Sequence, residues 1–296
     1  MEENNKMKIG ITSDCSSGLE YAPFEHNVKI TRTTIHFGEE ELVDGVDIKA
    51  DEFYQRLRAS DLVPSTSAPT LGEIAARVEE WKAEGCTDVI HFPISFGLSA
   101  YGENLTNAFD GMVDDVNLHV FNCHSACIME GYCAHYAQIL AEKGYTLEEI
   151  FAECQKLADQ TQAYLVVDDL KYLVKNGRLN AVSGFIGGLA KIKPILKLGK
   201  SGTIDVHEKV RTRTKAVDRM KELVHQDTLS AKEVIYIVLH SDCEEDAKVL
   251  LNEIKDTYQN GIRYELTTVT PTVGAHIGAG VIAIAYLILD GLKEKL

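Results

Sequence analysis

No stretch of this 296-residue chain is long and apolar enough to span a bilayer. The longest apolar run, Val281–Leu289, falls well short of the roughly 20 residues a transmembrane helix needs. Positive charge is also scarce. Lys and Arg number 30 against 45 Asp and Glu, giving a formal net charge of −15. That excludes a general affinity for nucleic acid or anionic membrane. Any anionic ligand must be held by local donors against an unfavourable overall field. A phosphate-cradling loop of the Gly-x4-Gly-Lys-Ser type is missing, and no dinucleotide fingerprint follows the first strand. Neither an internal repeat nor a low-complexity segment stands out. The opening residues 1–8 are polar, without the apolar segment of a secretion signal. Seven cysteines make an odd count in a long chain, which fits a reducing cytoplasm better than a disulfide framework.

What is present reads as alternating strands and helices. Residues 8–12 predict a strand that ends in a polar turn, Ser13 to Ser17. Residues 28–37, rich in Thr, Ile and Val, predict another. Residues 50–59 have helical spacing. Thr70 with Glu73 predicts a capping box for a helix over 71–84, closed by Gly85. A strand over 87–94 leads to a helix from about residue 103. A strand over 118–122 precedes a long helix over 125–143, closed by Gly144. Thr146 and Glu149 cap the next helix. This order argues for a parallel sheet covered by helices, with ligands at the strand ends.

The pattern changes near residue 162. Residues 164–167 predict a strand, 169–175 a short helix, 194–209 a hairpin around Gly199–Gly202, and 214–225 a helix. A strand, helix and strand follow over 233–240, 244–258 and 263–270. We therefore expect two domains, an N-terminal α/β domain over 1–162 and a mixed α/β domain over 163–296.

Four segments carry candidate chemistry. Pro64-Ser65-Thr66-Ser67-Ala68-Pro69-Thr70 gathers hydroxyls before a capped helix, a setting that suits a carboxylate or phosphate; ordinary capping needs only Thr70. Ser95-Phe96-Gly97-Leu98-Ser99 again follows a strand and precedes a helix, where Ser99 is placed to donate to an anion or to cap. Asn176-Gly177-Arg178-Leu179 puts an arginine after a glycine turn, ready for bidentate contact or for solvent. Thr270-Pro271-Thr272-Val273-Gly274-Ala275-His276-Ile277-Gly278-Ala279-Gly280 sets one histidine among three glycines. This predicts a loop whose backbone approaches a small ligand closely.

Other chemistries lack support. Cys123, His124 and Cys127 have no second pair at finger-like spacing, so no metal is expected. Asp168-Asp169 sits where a helix should start and reads as capping. No serine has an evident base and orienter, although Ser99 with His276 leaves open a stand-alone acyl or phosphate ester hydrolase or transferase.

In order along the chain, these motifs resemble the DegV family of bacterial lipid-binding proteins. The resemblance rests on Thr12-Ser13-Asp14-Cys15-Ser16-Ser17, the two hydroxyl loops, Asp169-Leu170-Lys171-Tyr172-Leu173 with the Asn-Gly-Arg turn, Lys193-Pro194-Ile195-Leu196, and the segment around His276. It spans roughly residues 8 to 290. It implies two α/β domains with a long-chain fatty acid at their interface and its tail in an apolar tunnel. It further implies that Thr66, Ser67, Ser99 and His276 hold the carboxylate. Arg178, with Gly274, Gly278 and Gly280, would lie near the headgroup or on a partner surface. The resemblance also implies a role. The chain would be no enzyme by itself, but the lipid-binding subunit of a two-component fatty acid kinase. It would need no cofactor and would present the bound acid to a separate ATP-dependent kinase subunit for acyl-phosphate formation. A lipid carrier or sensor without a kinase partner is the remaining alternative.

Overall fold

The computed structural model describes residues 8–108, 112–180 and 192–296. The first half of the chain runs β1 (Ile9–Asp14), β2 (Lys29–Thr31), β3 (Thr34–Phe37), β4 (Glu40–Val43), α1 (Ala50–Arg58), β5 (Ser65–Ser67), α2 (Leu71–Ala83) and β6 (Asp88–Phe92). It continues through α3 (Tyr101–Ala108), β7 (Asn117–Val120), α4 (Ile128–Glu142) and α5 (Leu147–Asp159). Strands β2-β1-β6-β7 form a four-stranded parallel sheet in that order. All five residues of β6 are buried, as expected for a strand covered on both faces.

The second half runs β8 (Thr161–Val166), α6 (Lys171–Lys175), β9 (Leu179–Asn180), β10 (Ile195–Leu198), β11 (Ile204–Glu208), α7 (Arg213–Thr228) and β12 (Val234–His240). It ends with α8 (Glu244–Thr257), β13 (Gly261–Thr268), α9 (Pro271–Ile277) and β14 (Ile282–Ile288). The strands form a seven-stranded mixed sheet, ordered β13-β12-β14-β8-β10-β11-β9. The expected α/β class, with a parallel sheet first and a mixed sheet after it, is what the chain adopts.

Alternation along β12 decides how the layers stack. Ile235, Ile237 and Leu239 join a core that runs through α4 and α5 to Ile11 and Ile90 of the parallel sheet. Val234, Tyr236 and Val238 point the other way, into a second core under α7 and α8. Helices α4 and α5 thus fill the space between the two sheets. Each large apolar side chain buried there contributes roughly 1.5–3 kcal/mol.

Capping follows the sequence closely. Thr146 and Glu149 make a reciprocal capping box at α5. Thr70 caps α2, but the Glu73 carboxylate turns away to accept from the Arg32 backbone N–H, so only half of that box forms. The same contact explains a second departure. The single strand expected over 28–37 is two strands in different sheets. At the crossing, Arg32 N–H goes to Glu73 and Thr33 N–H to Cys15 Sγ at 3.3 Å, instead of to a ladder.

Strand β3 then belongs to a small antiparallel sheet, β4-β3-β5. Its Ile35 packs with Phe53, Tyr54 and Leu57 of α1, and with Tyr172 and Ala275 from the second half of the chain. This excursion carries Thr66 to α9. The segment expected as a glycine-rich loop is largely α9 itself, capped by Thr270 and started by Pro271. Among the described residues no helix is long and apolar enough to cross a membrane, and no group of three or more His, Cys, Asp or Glu is arranged to hold a metal ion.

Candidate ligand site

Three of the four segments singled out in the sequence, and the arginine of the fourth, meet around one cavity of about 90 Å³. Thr66 reaches it from β5, Ser99 from the loop after β6, Arg178 from the turn after α6, and His276 from α9. Its apolar wall is Leu98, Leu173, Ile204, Val273 and Ile277. Asp14, the last residue of β1, and Ile94, just after β6, also line it. The cavity therefore lies at the carboxyl ends of parallel strands, where open α/β sheets bind ligands.

Strand geometry selects Thr66. Ser65 and Ser67 are exposed while Thr66 between them is half-buried, because alternate residues face opposite sides. Thr66 Oγ1 lies 2.8 Å from His276 Nε2. Burial, helped by the positive charge of Arg178, lowers the His276 pKa to about 4. The imidazole is neutral at pH 7 and carries one N–H. Its Nδ1 is buried without a hydrogen-bond partner. If Nε2–H donates to Thr66 Oγ1, the threonine hydroxyl proton is free for an acceptor in the cavity.

Ser99 Oγ accepts from the Tyr101 backbone N–H at 3.2 Å, capping α3, and its own proton remains uncommitted. The capping and donor readings of Ser99 are therefore compatible. Arg178 is exposed and spends Nε on the Leu98 carbonyl at 3.0 Å and Nη1 on the Asn176 carbonyl. It ties the second hydroxyl loop to the Asn-Gly-Arg turn, with a planar cation at the cavity rim.

Ser67 does not join them. It faces away, with Oγ 2.6 Å from His36 Nε2. The glycines also differ from expectation. None of the three lines the cavity. Gly274 sits inside α9, where an ideal Cβ would stand 2.5 Å from the Tyr54 hydroxyl. Gly278 and Gly280 take φ near +82° and turn the chain into β14. These glycines seat the helix against its neighbours and turn the chain after it.

Two participants carried no separate signal in the sequence. Asp14 is buried at the cavity and accepts from Ser16 N–H at 2.8 Å and Ile94 N–H at 3.0 Å; burial raises its pKa. Asn176 donates to the Ala275 carbonyl at 3.1 Å, holding α9 from below. Of the acidic pair at 168–169, Asp169 accepts from Lys171 N–H as a cap, whereas Asp168 pairs with Arg213.

A larger cavity of about 600 Å³ opens between α5, β8 and β10, lined by residues such as His124, Ser125, Gln160, Lys197 and Asp227. Two of its charged groups, Lys197 and Asp227, are already matched. Lys197 Nζ bonds the Tyr164 hydroxyl at 3.1 Å, and Tyr164 and Tyr286 both donate to Asp227.

A family model described as an uncharacterised protein of the DegV family matches residues 8–289. The chain belongs to the DegV family. A DegV domain-containing protein of Staphylococcus aureus strain N315 is 31% identical over 283 residues, which is 95% of this chain and 98% of that protein. The crystal structure of DegV, a fatty acid binding protein from Bacillus subtilis, matches with a TM-score of 0.85 at 30% identity, covering 95% of this chain and 99% of that one. The Streptococcus pneumoniae Fatty Acid Kinase (Fak) B3 protein, loaded with linoleic acid, shares the fold at 19% identity with a TM-score of 0.80, covering 95% of this chain and 100% of that one. The DegV assignment thus extends over both sheets and every segment of the small cavity.

Proposed function

We propose that this DegV protein binds a long-chain fatty acid with its carboxylate in the small cavity, and presents that carboxylate to a separate ATP-dependent kinase. The observation that carries the reading is the meeting of Thr66, Ser99 and His276 around a cavity also lined by Leu98, Leu173, Ile204, Val273 and Ile277. A desolvated carboxylate needs several hydrogen bonds to offset the loss of water. Two hydroxyls and an imidazole-fixed geometry supply them, with Arg178 at the rim. The volume of about 90 Å³ holds a headgroup and not a tail; it corresponds to roughly three waters. The tail would enter by parting the wall residues, which pack in the core between the sheets. Each methylene buried there contributes about 0.8 kcal/mol. On this reading Ser67 is not a ligand residue, and the interface of the 1–162 and 163–296 domains is where the acid lies.

A hydrolase using Ser99 and His276 needs the imidazole on the serine. Here His276 Nε2 faces Thr66, and Ser99 Oγ accepts a backbone N–H. That geometry works against nucleophilic catalysis.

Two measurements test the proposal. Lipid extracted from the purified protein, analysed by mass spectrometry, should contain one fatty acid per chain. A bare protein that takes up neither oleate nor palmitate would overturn the reading. Supplied with kinase and ATP, the loaded protein should yield acyl phosphate; loading without any transfer would leave a carrier or sensor.

A further inference from the structure

His276 rides on a helix that cannot hold its own position. A seven-residue helix is far below the length at which helices are stable alone, so its placement comes from what it is tied to. Its C-terminal end is held by neutral contacts: Asn176 to the Ala275 carbonyl, and Ser241 Oγ to the Gly278 carbonyl at 2.8 Å. Its N-terminal end is held by a charge. Asp44, fully buried just after β4, accepts from both the Thr272 backbone N–H at 2.8 Å and Thr272 Oγ1 at 2.6 Å, through the single atom Oδ2. Its other oxygen, Oδ1, is buried without a partner. The ligand site makes no use of this carboxylate, which does not line the cavity.

Burying a carboxylate half-satisfied is costly, so its two bonds to Thr272 have to be strong and short to hold it there. Thr272 and His276 are four residues apart on α9, hence on one face and one turn from each other. A displacement at Thr272 therefore moves the imidazole with it.

We propose that Asp44 is a positioning residue for the ligand site: through Thr272 it sets α9 at the depth where His276 Nε2 meets Thr66. The functional consequence rests on the fatty-acid reading; the geometry does not. The surroundings of Asp44 are built to keep it in place. Arg32 reaches its main-chain carbonyl at 3.2 Å and pairs with Glu20, while Cys15 Sγ stands 3.3 Å from Thr272 Oγ1. The hydroxyl of Tyr54 fixes the residue before the helix cap, bonding the Val269 carbonyl at 2.9 Å.

The test needs no ligand. The His276 ring would be titrated by NMR in the unmodified protein, in Asp44→Ala, Asp44→Asn and Thr272→Val, and in Leu250→Ala, a core truncation under the other face of the large sheet. The unmodified ring should titrate near pH 4. In Asp44→Ala it should move up by about one unit or more, toward the value of a solvated histidine. Thr272→Val, which keeps only the backbone N–H bond, should move it part of the way, and Asp44→Asn, whose amide oxygen can still accept both bonds but carries no charge, should move it less. Leu250→Ala should lower stability without moving it. If Asp44→Ala does not fold, the two milder variants decide. A His276 titration unchanged in every folded Asp44 and Thr272 variant, or shifted equally in Leu250→Ala, would overturn the proposal. Failure of fatty-acid binding in the unmodified protein would instead strike the functional reading and leave this one standing.

Discussion

Two of this protein's cavities differ in the opposite sense to their size. The larger, about 600 Å³, is lined by Lys197 and Asp227, which are tied together through tyrosine hydroxyls, and by Ser125, whose buried Oγ has no partner. The smaller, about 90 Å³, gathers donors from four distant segments and leaves some of their capacity unspent. Lys197, Tyr164, Tyr286 and Asp227 form a closed set. Thr66, Ser99 and His276 form an open one, with a buried Nδ1 that nothing meets. Donors converging from distant segments, with capacity left over, mark a ligand site better than volume does, because a buried donor or acceptor without a partner is costly until something arrives.

The sharpest test of this contrast is acid. Burial lowers the pKa of His276 to about 4, and that of His91, whose ring stacks edge-on to Tyr101 at the small cavity, to about 3. A base with a depressed folded pKa binds protons first in the unfolded chain. The stability it supports is therefore present above about pH 6.5 and is lost as pH falls toward the folded value. For His276 the loss is on the order of 3 kcal/mol across that window. Urea unfolding at stepped pH should show it, and His276→Gln and His91→Gln should each flatten the profile. A profile unchanged by both substitutions would mean that neither ring is held neutral by burial.

Next in size is binding. Thr66→Ala and Ser99→Ala should each weaken oleate or palmitate by roughly ten- to a hundred-fold, as expected for one hydrogen bond to a charged group at about 1.5–3 kcal/mol. Ser67→Ala, one residue along the same strand, should stay within twofold by calorimetry. Equal losses at Thr66 and Ser67 would erase the distinction between the two faces of β5. A smaller effect is expected at Asn176. Its truncation to alanine removes a neutral bond under α9 and should lower stability by about 0.5–1.5 kcal/mol in a denaturant titration. The smallest belongs to the larger cavity. Lys197→Ala should leave fatty-acid affinity within twofold; a tenfold loss would make that cavity part of the site.

Much of the architecture was legible because it is locally encoded. Thr146 with Glu149 announces α5, Gly144 and Gly85 take the left-handed turns expected of helix ends, and the strand expected over 233–240 is β12. What the local sequence does not carry depends on distant partners. Residues 28–37 look like one strand because nothing nearby reveals that Glu73 and Cys15 will capture the backbone at Arg32 and Thr33. The helix α9 was hidden by its glycines. Those residues signal freedom in a short window, whereas Gly274 is there for the Tyr54 ring, which is remote in sequence. The resemblance pairs Ser67 with Thr66, but strand alternation separates them. Asp44 gave no sign of its attachment to Thr272, a contact across 228 positions.

The place of β14 bears on how the protein is made. The parallel sheet draws all its strands from residues 9–120, so its partners are on hand early. The mixed sheet has no such convenience. Its fourth and second strands, β8 and β12, are separated by β14, which is synthesised after both. Until Ile288 has been made, β8 and β12 expose unpaired apolar edges of the kind that invite association between nascent chains. Assembly of this sheet is therefore a late event, governed by long-range closure and slow by nature. A chain interrupted before Ile282 would lack the strand that joins β12 to β8.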